Sequence, residues 1–182
     1  SEDTALIDAF IRGEDIHTST ASLVLSKAPN EITSNDRRLA KSINFGIIYG
    51  LSPYGLSQQL GIEVSDAKLF IDSYFKTYPL ARDFIERTKE FAHKNGYVQT
   101  VLGRRRYLPD INSGNKTAKA FAERVAINTV VQGSSADVIK IAMINLHREL
   151  RDRGWIIIQV HDELLLEVKK DALEEVKGLV IE

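Results

Sequence analysis

Arg37, Lys41, Phe45 and Tyr49 stand four residues apart along one run of the sequence. A helix turns by about 100° per residue, so steps of four keep these side chains in one slowly drifting stripe. Leu39, Ile43, Gly46 and Ile47 fall on the other side. Such a run folds as a helix with its apolar flank buried and the stripe turned towards a cleft. The boundaries are also written locally. Pro29-Asn30 breaks the preceding run, and Thr33 and Asp36 have capping-box spacing, which places the helix at 35–49. From N to C the stripe carries two cations and then two aromatics. A nucleoside triphosphate has the same polarity, with phosphates at one end and sugar and base at the other. Arg37 offers a planar fork for phosphate oxygens. Lys41 is a point charge that can also donate a proton. Phe45 and Tyr49 offer flat faces to sugar and base. Spacing alone equally describes an amphipathic helix with a solvated basic edge.

Around this helix the pattern is mostly helical. Residues 1–12 read as the end of a helix stopped near Gly13, and Asp15 starts a short helical run through Leu25. GLSPYGL reads as turns, followed by an amphipathic piece ending at Gly61. Ser65 is the expected N-cap of a helix through Tyr74. Tyr78-Pro79 opens another helix, with Phe84, Ile85, Thr88 and Phe91 inward, and Asn95-Gly96 stops it. YVQTVL (97–102) reads as a strand, and two helices follow at about 115–129 and 134–151. IIIQV and ELLLEV then form a hairpin turning at His161-Asp162. A last helix begins near Asp171 and is still running at Glu182. There are no internal repeats or low-complexity linkers.

The hairpin sets Asp162 and Glu163 beside aliphatic runs. Acidic turns are common, yet a carboxylate near apolar walls is costly without a cation. Magnesium takes carboxylate oxygens and fills its other positions with water or phosphate. Upstream, six basic residues between Tyr97 and Arg124 stand against only Asp110 and Glu123, although the whole chain carries a net charge of −1. Bulk charge therefore does not coat this protein in nucleic acid, but a local basic surface can bind phosphates. Arg124, Asn128 and Gln132 follow one another at steps of four, and at least the first two share a helical face. Asn and Gln can read the acceptors common to all base pairs in a minor groove.

With no cysteine, the 182 residues hold no disulfide, thiolate nucleophile or cysteine-based zinc site, which fits a cytoplasmic setting. No segment is long and apolar enough to span a bilayer. No G-x-x-x-x-G-K-[ST] loop occurs, which disfavours a P-loop nucleotidase.

RRLAKSINFGIIYG (37–50) matches in register the pattern R-x-x-x-K-x-x-x-F-G-x-x-Y-G, and so resembles the nucleotide-binding helix in the fingers of family A, polymerase I type, DNA polymerases. QVHDELLLEV (159–168) is similar to the palm motif of that family, and GRRRYLPD and ERVAINTVVQGSSAD to its duplex-holding segments. The resemblance implies an α+β fold: a helical fingers subdomain at 14–95 between palm pieces at 1–13 and 96–182, with a β-hairpin carrying the metal-binding Asp162. It implies triphosphate contacts from Arg37, Lys41 and His17 (in DIHTSTA), a sugar contact from Phe45, and template stacking by Tyr49. Phe rather than Tyr at position 45 implies discrimination against chain-terminating sugars. Lys41, Asp162 and Glu163 would be catalytic, with Asp162 the metal ligand and Glu163 an outer participant. Arg104, Arg105, Arg124, Asn128, Gln132, Gln159 and His161 would meet DNA, His161 near the primer end. The implied partners are primer–template DNA, dNTPs and two Mg2+ ions, in a monomeric, nucleoid-associated enzyme of the cytoplasm.

The second catalytic Asp of that family lies in a D-Y-S-x-I-E type segment, which this sequence lacks, and Asp3, Asp8 and Asp15 do not replace it. The chain is therefore expected to be a piece of a polymerase, cut short at both ends and inactive alone. Two alternatives stand beside this reading. One is a non-catalytic nucleic-acid-binding module derived from a polymerase. The other is a metal-dependent phosphohydrolase using His161 and Asp162, which the spacing of His17, His93 and His147 does not favour.

Overall fold

The computed structural model describes residues 2–25 and 27–181. The fold is α+β, mostly helical, with two two-stranded sheets. The elements in order are α1 (Thr4–Ile11), α2 (Ile16–Leu25), α3 (Ser34–Ile48), α4 (Pro53–Leu60), α5 (Val64–Thr77), α6 (Pro79–Asn95), β1 (Tyr97–Gln99), β2 (Arg105–Tyr107), α7 (Lys116–Leu150), β3 (Gly154–Val160), β4 (Glu163–Val168) and α8 (Leu173–Ile181). The chain divides into two units, one of residues 1–98 and 105–128, the other of residues 99–104 and 129–182.

In the first unit the core gathers Ile43 and Ile47 of α3, Leu56 of α4, and Ala67, Tyr74 and Tyr78 from α5 and its end, with Leu39 packed partly against them. The inner side of α3 thus forms as expected, with Ala40 and Asn44 additions to it at 1% and 3% exposure. Thr33 and Asp36 make the expected capping box. Gly96 ends α6 in the left-handed conformation, with φ 73. Asp3 shows that α1 is a complete helix rather than the end of one. Its carboxylate accepts from the backbone of Leu6 at 3.1 Å and of Leu80 at 3.0 Å, capping α1 and the first turn of α6 at once.

Several expectations change. GLSPYGL is not all turn, because Ser52 caps α4 and Pro53 occupies its first position, where a missing N–H is harmless. Glu63, not Ser65, stands at the N-cap of α5, so Ser65 lies inside the first turn. Phe91 is 40% exposed, and Ala92 takes the inward place beside Ile85 and Thr88. The strand at 97–102 shrinks to three residues, since Thr100 turns the chain by accepting from Gly103.

The largest change is α7, one helix where two were expected. Gly133-Ser134-Ser135 does not break it. A Cβ at Gly133 would lie 2.8 Å from the Thr100 methyl, so glycine is there for close approach. Ser134 donates to the carbonyl of Val130 and accepts from the Val101 N–H at 2.9 Å. Both residues anchor the 99–104 turn within the second unit.

The hairpin β3–β4 is antiparallel, with Val160 opposite Glu163. A bulge at Ile157 puts one extra residue on β3. Trp155, Ile157, Ile158, Val160 and Leu165 are each at least half exposed. A 3₁₀ turn at Lys170–Ala172 delays the last helix to Leu173, and its expected continuation at Glu182 lies outside the described residues.

Candidate functional site

The stripe on α3 is present as a face. Arg37 and Lys41 are exposed, Phe45 is 46% exposed, and Tyr49, the C-cap, is half-buried. Phe45 and Tyr49 lie nearly parallel, 6.3 Å between ring centres at 13°. Lys41 Nζ stands 6.0 Å from the Phe45 ring centre. From α2, the His17 ring lies 6.1 Å from Phe45. Five residues expected at or beside the incoming nucleotide therefore share one region of the first unit.

Three residues not expected at the site hold them there. Asn44 is buried with Thr20, whose hydroxyl donates to Asn44 Oδ1 at 2.8 Å. Asn44 Nδ2 then donates to His17 Nδ1 at 3.0 Å, which leaves the proton of a neutral ring on Nε2. Burial, first, holds the His17 imidazole below its ordinary 6.5, Asp15 pulls it upward, and Arg37 and Lys41 add to the lowering. His17 is accordingly an uncharged donor at neutral pH.

Asp15 is the third. Its carbonyl accepts the first intrahelical bond of α2, from Ser19 N at 3.0 Å, so it is the N-cap. Its carboxylate accepts from the His17 N–H at 3.1 Å and the Thr18 hydroxyl at 2.8 Å. The same carboxylate receives Arg37 Nε and, at 3.4 Å, Arg37 Nη2. The Arg37 hydrogen bond is the main reason that the Asp15 carboxyl is held at about 2. The arginine expected to offer its fork to phosphate thus already has a carboxylate in it.

An Asp directly before a helical run signals a cap, and an Asn among apolar inward positions signals a buried partner. Neither signal reveals the partner on the other helix.

In the second unit, His161 and Asp162 form a two-residue turn, with His161 at φ 55. A positive φ suits glycine best, although His tolerates it better than bulky residues do. Gln159 Nε2 donates to the His161 carbonyl at 2.8 Å, so the side chain expected at DNA is here a brace for the turn. Asp162 and Glu163 are exposed, as are Val160 and Leu165, while Leu164 is half-buried, so the apolar walls expected around the carboxylates are largely open within this chain. Neither carboxylate has an ion-pair partner among the described residues.

The basic segment is mixed. Arg104 donates to Asp137 through Nε at 2.9 Å and Nη2 at 2.8 Å, and to the Gly133 carbonyl at 3.1 Å. Hydrogen bonding from Thr100 first, and then from Arg104, holds the carboxyl of Asp137, which is 5% exposed, below its ordinary range against the opposing effect of burial. Arg105 lies over the Tyr97 ring at 4.7 Å, and Arg124 over Phe121 at 5.8 Å, both guanidinium groups exposed. Arg124, Asn128 and Gln132 all fall on α7, the first two in the first unit and Gln132 in the second. His93 bonds Asn112 and Glu123, each at 2.9 Å. Among the described residues no three His, Asp or Glu side chains gather as a metal cluster, and no helix is long and apolar enough to cross a membrane.

Comparison with known proteins adds the lineage. The chain is 50% identical to DNA polymerase I of Streptococcus pneumoniae over 99% of its length, and 48% identical to DNA polymerase I of Geobacillus stearothermophilus over 100%. It spans about a fifth of those curated relatives, 21% in each case. The POL domain of Pol1 from M. smegmatis, in complex with DNA primer-template and dNTP, superposes with a TM-score of 0.90 at 45% identity, covering 98% of this chain and 32% of that one. The family model for DNA polymerase family A matches residues 1–182, and the chain belongs to that family.

Proposed function

We propose that a full-length polymerase carrying this chain performs template-directed DNA synthesis, nucleotidyl transfer from a dNTP to a primer 3′-hydroxyl, with residues 14–95 as fingers and 1–13 and 96–182 as palm. The observation that carries this reading is the α3 face, where two cations and two aromatics stand in line with His17 beside them. Arg37 grips the phosphates through a bidentate fork. Lys41 neutralises charge on the departing pyrophosphate and can hand it a proton. His17 donates through Nε2. Phe45 packs on the sugar and Tyr49 stacks on a base. Helical-lobe motion closes these groups on the nucleotide and excludes water. Most of the rate comes from positioning and from charge held in place before reaction.

Asp162 and Glu163 are exposed, adjacent and free of ion pairs among the described residues. One or two carboxylates with phosphate and water completing the shell is the donor set of Mg2+, so the pair fits part of a two-ion site. Bound there, such ions would lower the pKa of the attacking hydroxyl and neutralise the leaving group. Asp162 would be the ligand, with Glu163 beside it and His161 towards the primer end. Arg105, Arg124, Asn128 and Gln132 meet backbone and minor groove without reading sequence. Arg104 and Gln159 already brace Asp137 and the His161 carbonyl, and would meet DNA through the donors and acceptors those bonds leave over. The partners, as in the Pol1 complex, are primer-template DNA and dNTP. Such an enzyme works as a monomer on the nucleoid in the cytoplasm.

Arg37→Ala in the full-length enzyme tests the grip. Loss of a charge-assisted contact raises the apparent dNTP dissociation constant in single-turnover incorporation by about tenfold or more. An unchanged constant refutes the role. The 182-residue chain alone does not extend primers, since Asp162 and Glu163 supply only part of the donor set. Magnesium-dependent extension by that chain, abolished by Asp162→Ala, would overturn this.

A further inference from the structure

A solvent-exposed arginine at the head of a ligand-facing helix is ordinarily free to meet an anion. Arg37 is not. It shares hydrogen bonds through Nε and Nη2 with Asp15, 22 residues earlier in sequence. Asp15 is in turn fixed from the other side by the His17 N–H and the Thr18 hydroxyl. The carboxylate is therefore a built part of the α2 terminus and not a wandering side chain.

We propose that Asp15 is an internal competitor for the nucleotide, its carboxylate holding the Nε–Nη2 edge of Arg37 and offsetting its charge, so that Asp15 sets how tightly the enzyme binds dNTP. This rests on the reading of Arg37 as a triphosphate ligand. A phosphate must either displace the carboxylate from the Nε–Nη2 edge or take the Nη1 edge of a guanidinium whose charge Asp15 already offsets. Asp15 also brings a negative charge to the rim of a site for a polyanion, where like charge opposes binding. The carboxyl titrates at about 2, so the competition operates at every pH at which the enzyme works.

The competitor is weak by construction. The Asp15 and Arg37 side chains are 37% and 49% exposed. An exposed pair of this kind is readily exchanged in water. Asp15 thus tunes affinity without blocking the site, and it keeps Arg37 from lying against other anions, DNA phosphates among them.

The test is Asp15→Asn in the full-length polymerase. Asn caps a helix as well as Asp does, so α2 keeps its start while the charge leaves. Asp15→Ser is a second capping variant with a shorter reach. Single-turnover incorporation is expected to give an apparent dNTP dissociation constant lower by roughly two- to five-fold, the range that an exposed ion pair represents. The gain shrinks as salt screens the charge. The gain should shrink in an Arg37→Ala background to the part that charge repulsion alone supplies. A constant that is unchanged or higher in both variants overturns the proposal, the latter by showing that Asp15 organises Arg37 for phosphate. Arg37→Ala alone separates the two readings: if it leaves nucleotide affinity intact, the phosphate role of Arg37 fails, and the competition fails with it. If Arg37→Ala weakens binding while Asp15→Asn does not tighten it, only the competition fails.

Discussion

The outward face of α3 and the turn between β3 and β4 both carry charges proposed to meet the nucleotide, but they are held in opposite ways. On and around α3, Arg37 has Asp15, Asp36 has Lys27 and Thr33, and Lys41 has only the Phe45 ring at 6.0 Å among the contacts described. His17 has Asn44, which is anchored in turn by Thr20. At the turn, Asp162 and Glu163 have no ion-pair partner among the described residues, and the brace from Gln159 reaches only the backbone of His161. A face of the first kind must exchange a resident partner for its ligand, so substitutions there move both stability and binding. A face of the second kind has charge in surplus and needs a cation. Substitutions of those two carboxylates should move chemistry alone.

The largest expected effect tests the second half of that contrast. Asp162→Ala in the full-length enzyme should lower the single-turnover rate on the order of 10³-fold, the scale of a lost metal anchor. Its melting temperature should stay within about two degrees, because no ion pair is broken. A substantial fall in melting temperature would show that the carboxylate supports the hairpin, and the contrast would break.

Asn44→Ala probes the first half. It leaves the Thr20 hydroxyl and His17 Nδ1 without their buried partner, at a cost of about 1–3 kcal/mol. Hydrogen exchange of α2 and α3 amides should quicken accordingly, and dNTP affinity should weaken as the His17 ring loses its orientation. Faster exchange with unchanged affinity would confine Asn44 to the core.

His161→Gly sharpens the comparison at lower amplitude. Glycine takes the positive φ of 55 without strain, so the hairpin should gain up to about 1 kcal/mol, read as slower amide exchange in β3 and β4. Activity should fall nonetheless, because a more flexible turn holds Asp162 less well. A variant that is both more stable and fully active would show that the backbone strain serves nothing.

The same contrast governs what could be seen in the sequence. Local signals read well: the Thr33–Asp36 box and Gly96 are decided within a few residues. The inner side of α3 followed from periodicity alone, and Asn44 escaped because its reason lies on α2. Gly133-Ser134-Ser135 looked like a break because glycine and serine weaken helices, whereas here they make room for Thr100 and receive Val101. The fold class and the family were legible because long motifs fix residue identities at many positions together. The Asp15–Arg37 pair was not, since nothing in either segment says that the start of α2 meets the start of α3.

The smallest effect concerns acid. The Asp15 and Asp36 carboxyls sit at about 2 against an ordinary 3.8, held chiefly by Arg37 and by Lys27 respectively. A carboxyl lowered in the folded state stabilises it fully above the ordinary value, and the contribution drains away as pH falls through the folded value. The window is therefore from about pH 4 down to about pH 2, and neither pair makes stability vary with pH above it. Asp15 is more than a third exposed, so after screening its share is at most about 1 kcal/mol. In urea titrations of the chain, the Asp15→Asn, Asp36→Asn double variant should lose less stability than the parent between about pH 5 and pH 2.5. Lys27→Met should reduce the same drop through Asp36 alone. An identical drop in all three proteins would mean that these pairs, for all their hydrogen bonds, hold α2 and α3 no more firmly than solvent does, and the contrast between a partnered and an unpartnered face would then be one of geometry without energy.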